Sequence, residues 1–265
     1  MTTAETSSLA RHVTYEREGR VAIITLNRPE RLNAIGLQTR AELSAALATL
    51  AEDKELRAGI LTGTGRAFSA GADLKEMAET NASTGERWAS PTLEQAVQCS
   101  RHPKPIIAAI NGLCLAGGLE RALDCDIRIC VPAATFALPE VTRGIIAGYA
   151  VHHLTKLVPF GEAMYLLLTG ATISSERALR IGLVQEIVPP ESLLERAIEI
   201  GEAIASNAPL AVEGTKAIGQ WARQSGLDES YRMGDWVSRV VLESNDAKEG
   251  PRAFAEKRPA RWTGT

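Results

Sequence analysis

The stretch from Pro105 to Glu140 constrains this chain more than any other, because buried-strand, glycine-turn and helix signals follow one another within it. It opens with Ile106-Ile107-Ala108-Ala109-Ile110, an apolar run bounded by Pro103 and Pro105 in front and by Asn111-Gly112 behind. That pattern predicts a short buried strand ending in a turn. Ala116-Gly117-Gly118 then removes side-chain bulk where a helix begins, and Leu119 to Cys125 carries the apolar spacing of a helix with one buried face. The first N–H groups of a helix have no internal acceptor and sit at the positive end of its dipole, so Gly117 is placed to hold a developing oxyanion. Glu120 lies one turn inside. A second carboxylate, Glu140, follows the strand-like run Ile127-Arg128-Ile129-Cys130-Val131 and the segment Phe136-Ala137-Leu138-Pro139. Strand, helix, strand and turn suffice to make the two glutamates converge.

Four blocks occur in order: Ala109-Ile110-Asn111-Gly112, Ala116-Gly117-Gly118-Leu119-Glu120, Cys125-Asp126-Ile127-Arg128 and Phe136-Ala137-Leu138-Pro139-Glu140-Val141. Alone, a glycine pair followed by a glutamate marks many helix starts, where the acid only complements the dipole. Together the blocks resemble the enoyl-CoA hydratase/isomerase family, also called the crotonase superfamily, and the resemblance runs over nearly the whole chain. It implies an α/β fold, a spiral of repeated strand-strand-helix units with a C-terminal helical trimerisation region. Residues 1–200 would form the spiral core with the CoA and catalytic site, and 201–265 the helical oligomerisation region. The implied assembly is a homotrimer or a dimer of trimers.

With 265 residues and 45% hydrophobic content, the chain can bury a sizeable core. A net charge of −3 gives no electrostatic reason to expect nucleic acid or an anionic membrane as the main partner. Met1 to Ala10 is polar and lacks the apolar segment of a secretory signal, and no apolar run is long enough to span a bilayer. A cytoplasmic protein is therefore expected. Cys99, Cys114, Cys125 and Cys130 form no Cys-x-x-Cys pair and read as buried thiols rather than a zinc site or disulfide framework.

Taken from the start, His12-Val13-Thr14-Tyr15-Glu16 alternates, Glu18-Gly19 turns and Val21 to Leu26 runs apolar, which predicts a hairpin. Asn27-Arg28-Pro29 stops the second strand. Asn27, Arg28, Pro29, Asn33 and Ala34 match a family loop that cradles the CoA adenine and phosphates; for Arg28 alone an ordinary polar loop is the better reading. Leu43, Ala46, Leu47 and Leu50 keep helical spacing from Leu37 to Ala51, and Gly59 to Gly63 is another short strand. Strand, helix and strand in sequence indicate an α/β fold.

Ala67-Phe68-Ser69-Ala70-Gly71-Ala72-Asp73-Leu74-Lys75-Glu76-Met77 is the more specific block, with the core Ala70-Gly71-Ala72-Asp73-Leu74-Lys75. Its small residues let backbone approach a ligand, so Ala72 is assigned as the second oxyanion donor beside Gly117. Asp73 is expected to cap the following turn. Lys75 either meets a CoA phosphate or is simply solvated. Ser69 reads as structural, since no histidine motif ties it to a base and no Gly-x-Ser-x-Gly elbow is present.

The polar stretch from Ala78 to Ser100 is expected to cover an acyl pocket lined by Met77 and Trp88. After Glu140, Gly148 matches a family glycine whose N–H places the reacting water. Phe160 to Thr169 predicts a helix burying Met164, Leu167 and Leu168; Ser174 starts another, and Leu183 to Val188 reads as a strand. Ser192–Ala205, Leu210–Arg223 and Leu227–Leu242 carry helical periodicity. Phe254 and Lys257, three apart, would share one helical face and offer a ring and a cation to a CoA nucleotide, a role that the family pattern favours over a packed ring and a solvated lysine.

A thioester conjugated to a double bond gathers negative charge on its oxygen when a nucleophile adds at C3, and two backbone N–H groups can hold that charge. Hydration also needs a water deprotonated and a proton delivered to C2, work for two carboxyl groups in different protonation states. Because Glu120 and Glu140 are both present, the resemblance implies reversible hydration of a 2-enoyl-CoA, with CoA carried by the substrate and no metal or other cofactor. Rival readings are another reaction of the family, a non-catalytic acyl-CoA binder, and an oxidoreductase, the last lacking any Gly-x-Gly-x-x-Gly. The chain departs from the family at Arg121, Asp124 and Tyr149. Asp124 either repels Glu120 or is neutralised by Arg121, and Tyr149 would stand beside the water. Both changes predict a narrowed or polarised acyl pocket that disfavours crotonyl-CoA.

Overall fold

Residues 11–79 and 98–265 are described by the computed structural model. The N-terminal hairpin pairs β1 (Val13–Glu18) with β2 (Val21–Leu26) antiparallel, turning at Gly19 with φ 53°. Eight further strands follow among the described residues: β3 (Ala58–Gly63), β4 (Ala67–Ser69), β5 (Ile106–Ile110), β6 (Leu113–Leu115), β7 (Ile127–Cys130), β8 (Thr135–Ala137), β9 (Ile173–Ser174) and β10 (Glu186–Ile187). They form two sheets, ordered β1-β2-β3-β5-β7-β10 and β4-β6-β8-β9. Each consecutive pair, β3/β4, β5/β6 and β7/β8, sends one strand to each sheet, and neighbours from successive pairs run parallel. Parallel neighbours need a crossover. Helices α1 (Leu37–Glu52), α2 (Leu74–Glu79) and α3 (Gly117–Asp124) lie in the returns after β2, β4 and β6, which makes the repeating unit strand-strand-helix.

Every residue of β5 is fully buried, as the unbroken apolar run predicts for a parallel strand covered on both faces. Chain past β8 passes through the short helix α4 (Ala150–His153), then α5 (Phe160–Thr169), α6 (Ser175–Arg180) and α7 (Leu193–Ala205). Helix α7 runs through residue 200 and packs on β2, β3 and β5. A Cβ on Gly201 would come within 2.7 Å of Val21 Cγ2, so the sheet's helical cover extends to Ala205. Beyond it α8 (Pro209–Gln224), α9 (Leu227–Glu243) and α10 (Asn245–Ala255) form the helical region. Lys216 ties α8 to the core by donating to Asp126 Oδ2 at 2.7 Å and to the Cys99 and Lys104 carbonyls.

Two expectations differ from what is found. Leu168 on α5 is 66% exposed, and the buried positions there are Ala163, Leu166 and Leu167. The strand read from Leu183 to Val188 shrinks to β10: Leu183 N donates to Ala178 O, so Leu183 and Val184 are buried as a loop, and bonding to the β7 region starts with Gln185 N to Arg128 O. All four cysteines are free and buried. Among the described residues no helix is long and apolar enough to cross a membrane.

Candidate active site

The oxyanion pair is assembled by close backbone packing. A parallel bridge joins Ile35 to Ala72, through Ile35 N to Gly71 O at 2.7 Å and Asp73 N to Ile35 O at 3.3 Å, so the Ala72 amide faces the other way. Gly71 adopts φ 89°, and a Cβ there would fall 2.7 Å from Gly117 N; a Cβ on Gly117 would fall 3.5 Å from Ala72 N. The Ala72 and Gly117 amides are therefore neighbours, and neither has an acceptor among the described residues. Gly118 lets α3 approach β4, since a Cβ there would overlap Ser69 O at 2.2 Å. As expected, the Ser69 hydroxyl is structural, donating to Asn33 O and accepting from Gly71 N.

The loop carrying Arg28 is bound to the same wall. Arg28 Nη1 lies 3.0 Å from Asp73 Oδ2 in a largely buried pair and also donates to Ala34 O. Asp73 Oδ1 accepts from Glu76 N at 3.3 Å, the expected turn cap. Burial pushes the Asp73 carboxyl up, but the Glu76 amide and the Arg28 guanidinium outweigh it and hold the group below the usual carboxylate range. Arg28 and Asp73 thus pair with each other and fasten their two loops together. Buried Asn33 does similar work unannounced by the sequence: it accepts from Arg28 N and donates to the Thr64 and Ala67 carbonyls. Ala70 N is bonded to Leu32 O. Leu74 and Lys75 are exposed at the start of α2.

The two carboxylates lie near each other, since the Glu120 charge acts on Glu140. Glu120 Oε1 accepts from Tyr149 N at 2.8 Å and from Ala150 N at 3.0 Å, the amides that open α4. Glu140 sits in the first turn of a 3₁₀ segment, Pro139–Arg143, and is 5% exposed. Burial pushes its carboxyl up to about 7; its own backbone N–H and Arg143 oppose that, and the nearby Glu120 charge adds to it. Glu140 Oε2 is buried without a hydrogen-bond partner among the described residues, an atom that a bound water or substrate would satisfy. The amide of Gly148 likewise has no acceptor there.

Asp124 follows the second of its two expected readings, pairing with Arg121, whereas the Tyr149 hydroxyl turns to Asp124. Asp124, 2% exposed, accepts from Cys99 N, Ser100 N, the Ser100 hydroxyl and the Tyr149 hydroxyl at 2.7, 3.2, 2.6 and 2.8 Å, with Arg121 Nη1 at 3.3 Å. The arginine and four uncharged donors neutralise it. The tyrosine hydroxyl points to Asp124, while the tyrosine amide serves Glu120. Of the five donors on this carboxylate only Arg121 is local, at i,i+3; Cys99, Ser100 and Tyr149 come from distant parts of the chain, where no local pattern reveals them.

Phe254 and Lys257 are not on one helical face. Phe254 lies on α10 and is 87% exposed, whereas Lys257 follows the helix end with φ 54°. The helix stops at Ala255, so the i, i+3 relation does not carry through. Trp88 and the segment 80–97 lie outside the described residues, as does the side chain of Met77.

The candidate site thus joins two neighbouring, unpartnered backbone amides to a buried Glu140 and a half-buried Glu120, on a strand-strand-helix spiral. The family model for enoyl-CoA hydratase/isomerase matches residues 16–265, and the chain belongs to that family. A short-chain-enoyl-CoA hydratase of Clostridium acetobutylicum is 39% identical over 249 residues, covering 93% of this chain and 95% of the relative. A carnitinyl-CoA dehydratase of Salmonella arizonae is 39% identical over 254 residues, 94% and 97% of the two chains. An enoyl-CoA hydratase structure from Bacillus anthracis superposes with a TM-score of 0.89 at 36% identity, covering 96% of this chain and all of that one. The function of the chain is enoyl-CoA hydratase-like.

Proposed function

We propose that the protein adds water reversibly across the double bond of a 2-enoyl-CoA, with Ala72 N and Gly117 N holding the thioester oxygen as it becomes an enolate. The observation that carries this reading is the buried, unpartnered Oε2 of Glu140, a carboxyl that burial raises to about 7, near a Glu120 held by backbone amides. Two N–H donors suit a charged carboxylate, so Glu120 draws the proton from water as oxygen bonds to C3. Glu140, near pH 7, is a proton donor matched to its task and delivers hydrogen to C2. Electrons from the double bond pass to the carbonyl oxygen and return as C2 is protonated; the reverse sequence expels water. CoA enters as part of the substrate, and no metal or redox group is required by these steps.

CoA is assigned to the wall formed by residues 28–34 and 70–75, with Lys75 exposed toward a phosphate. Phe254 and Lys257 remain assigned to the nucleotide of CoA, now as ring and cation from a helix end. Assembly as a homotrimer or dimer of trimers is supported by the apolar side chains that α9 exposes, among them Leu227, Tyr231, Trp236, Val240 and Leu242. The carnitinyl-CoA relative favours one alternative, dehydration of a 3-hydroxyacyl-CoA, which is the same chemistry run backwards on a polar chain. A panel of crotonyl-CoA, longer linear and polar short-chain thioesters, followed by loss of enoyl absorbance, tests the reading. No turnover of any member overturns it.

A further inference from the structure

Helix α3 presents Glu120 and Asp124 one turn, about 5.4 Å, apart on one face, and Tyr149 meets both. Its backbone N donates to Glu120 Oε1 and its hydroxyl to Asp124 Oδ1, each at 2.8 Å. We propose that Asp124 and Tyr149 form a latch that positions Glu120, fixing the opening of α4 so that the Tyr149 and Ala150 amides hold the carboxylate in one orientation. The inference rests on the hydratase reading for its catalytic consequence, not for its geometry.

Three observations point to a latch rather than incidental packing. Helix α4 has only four residues, too short to hold its own first turn rigid, so what fixes Tyr149 fixes the amides. The tyrosine is held at both ends: its ring meets His153 edge-on at 3.7 Å between centroids and packs on the core, and its hydroxyl reaches Asp124. Burial, and then the Arg223 charge, lower His153 to about 4, so that ring is neutral near pH 7 and adds no competing charge. Asp124 is itself anchored, by the Cys99 and Ser100 amides and by Arg121, so it gives the hydroxyl a fixed acceptor. Neither residue reaches the reacting atoms through its side chain. Both are positioning residues.

Tyr149→Phe removes one oxygen and keeps the ring, so folding should persist. The expected result is a fall in kcat of tenfold or more with KM within about twofold. Hydrogen–deuterium exchange in the same variant should speed up at the amides of residues 149 and 150, as it should in Glu120→Gln. Asp124→Asn, which keeps an acceptor oxygen for the hydroxyl, should retain more activity than Tyr149→Phe. A raised KM with unchanged kcat would make Tyr149 a pocket wall and overturn the latch. Unchanged exchange at residues 149 and 150 overturns it whatever the activity. Should the wild type hydrate no enoyl-CoA, the hydratase reading fails while the exchange measurement still decides the latch.

Discussion

The two sides of the site are built by different physics. On the proposed oxyanion side the parts are backbone: Gly71 and Gly118 let three segments approach until a side chain no longer fits, and this close packing brings the amides of Ala72 and Gly117 together. On the carboxylate side the parts are side chains whose positions depend on charge and burial, with Glu140 raised by desolvation and Glu120 held by amides from α4. The first side is rigid and indifferent to pH. The second is tunable, and Asp124 with Arg121 and Tyr149 lies on it.

The largest effects should come from removing the tunable charges. Glu120→Gln and Glu140→Gln are each expected to lower kcat by about 10² to 10⁴ with little change in KM, since acid–base groups act mainly in the transition state. The double variant should be little worse than either single one, because the pair works as a unit. Single variants with near-wild-type hydration would dissolve the comparison, leaving only the amides as machinery.

Next come the glycines, which separate geometry from stability. Gly117→Ala places a methyl 3.5 Å from Ala72 N, ordinary contact for folding but an obstruction where the oxygen binds. Activity should fall by about 10² to 10³, the cost of one oxyanion donor, with melting temperature nearly unchanged. Gly118→Ala instead overlaps Ser69 O at 2.2 Å and should destabilise the fold by about 1–3 kcal/mol through overpacking. Thermal melts beside steady-state kinetics distinguish the two, and equal melting losses in both variants would show that oxyanion and packing roles are not separable.

Burying Glu140 should be visible in stability as well as in rate. Its folded pKa, raised from 4.5 to about 7, means that the native state binds the proton more tightly than the unfolded chain. Its favourable contribution is full below pH 4.5 and is lost as pH rises through about 7, a loss of order 3 kcal/mol. Glu140→Gln should therefore be more stable than wild type at pH 8 and equal to it near pH 4, measured by urea unfolding. As the proton donor, the same group predicts hydration falling with one-proton dependence above pH 7. A variant no more stable than wild type at pH 8 would mean that solvent reaches the carboxylate.

This contrast also explains what could be read in advance. Gly71, Gly118 and the strand-helix alternation were legible because steric demands leave a local trace: glycine where nothing else fits, apolar runs where both faces are covered. Leu168 and the shortened strand at Leu183 were not, since periodicity marks an apolar face without saying whether it meets the core or stays exposed. Arg28 with Asp73, and Asp124 with Tyr149 and Ser100, join residues distant in sequence whose types are common in loops. Charge pairing of that kind leaves no local trace. Lys257 shows the reverse error, a spacing argument carried past the end of a helix.

The smallest effect is expected at Ala116, where the rigid side carries strain. Ala116 has φ 51° and ψ −130°, a conformation that glycine adopts freely and an L side chain resists. Holding a non-glycine residue there costs about 1–3 kcal/mol, while glycine would cost about 0.5–1 kcal/mol in unfolded-state entropy. The two nearly offset, so Ala116→Gly should stabilise the protein by no more than about 1–2 kcal/mol. Its amide bond to Ala137 O, 2.9 Å long, fixes the entry to α3 and does not involve the methyl, so the aim of Gly117 N should survive and kcat stay within about twofold. Urea unfolding and kinetics on one preparation check both halves. Destabilisation would mean that the alanine methyl is held by its contact beside Gly71 more firmly than the backbone resists it. A lowered kcat at unchanged stability would mean that the strained alanine, and not the glycine after it, sets the direction of the oxyanion amide.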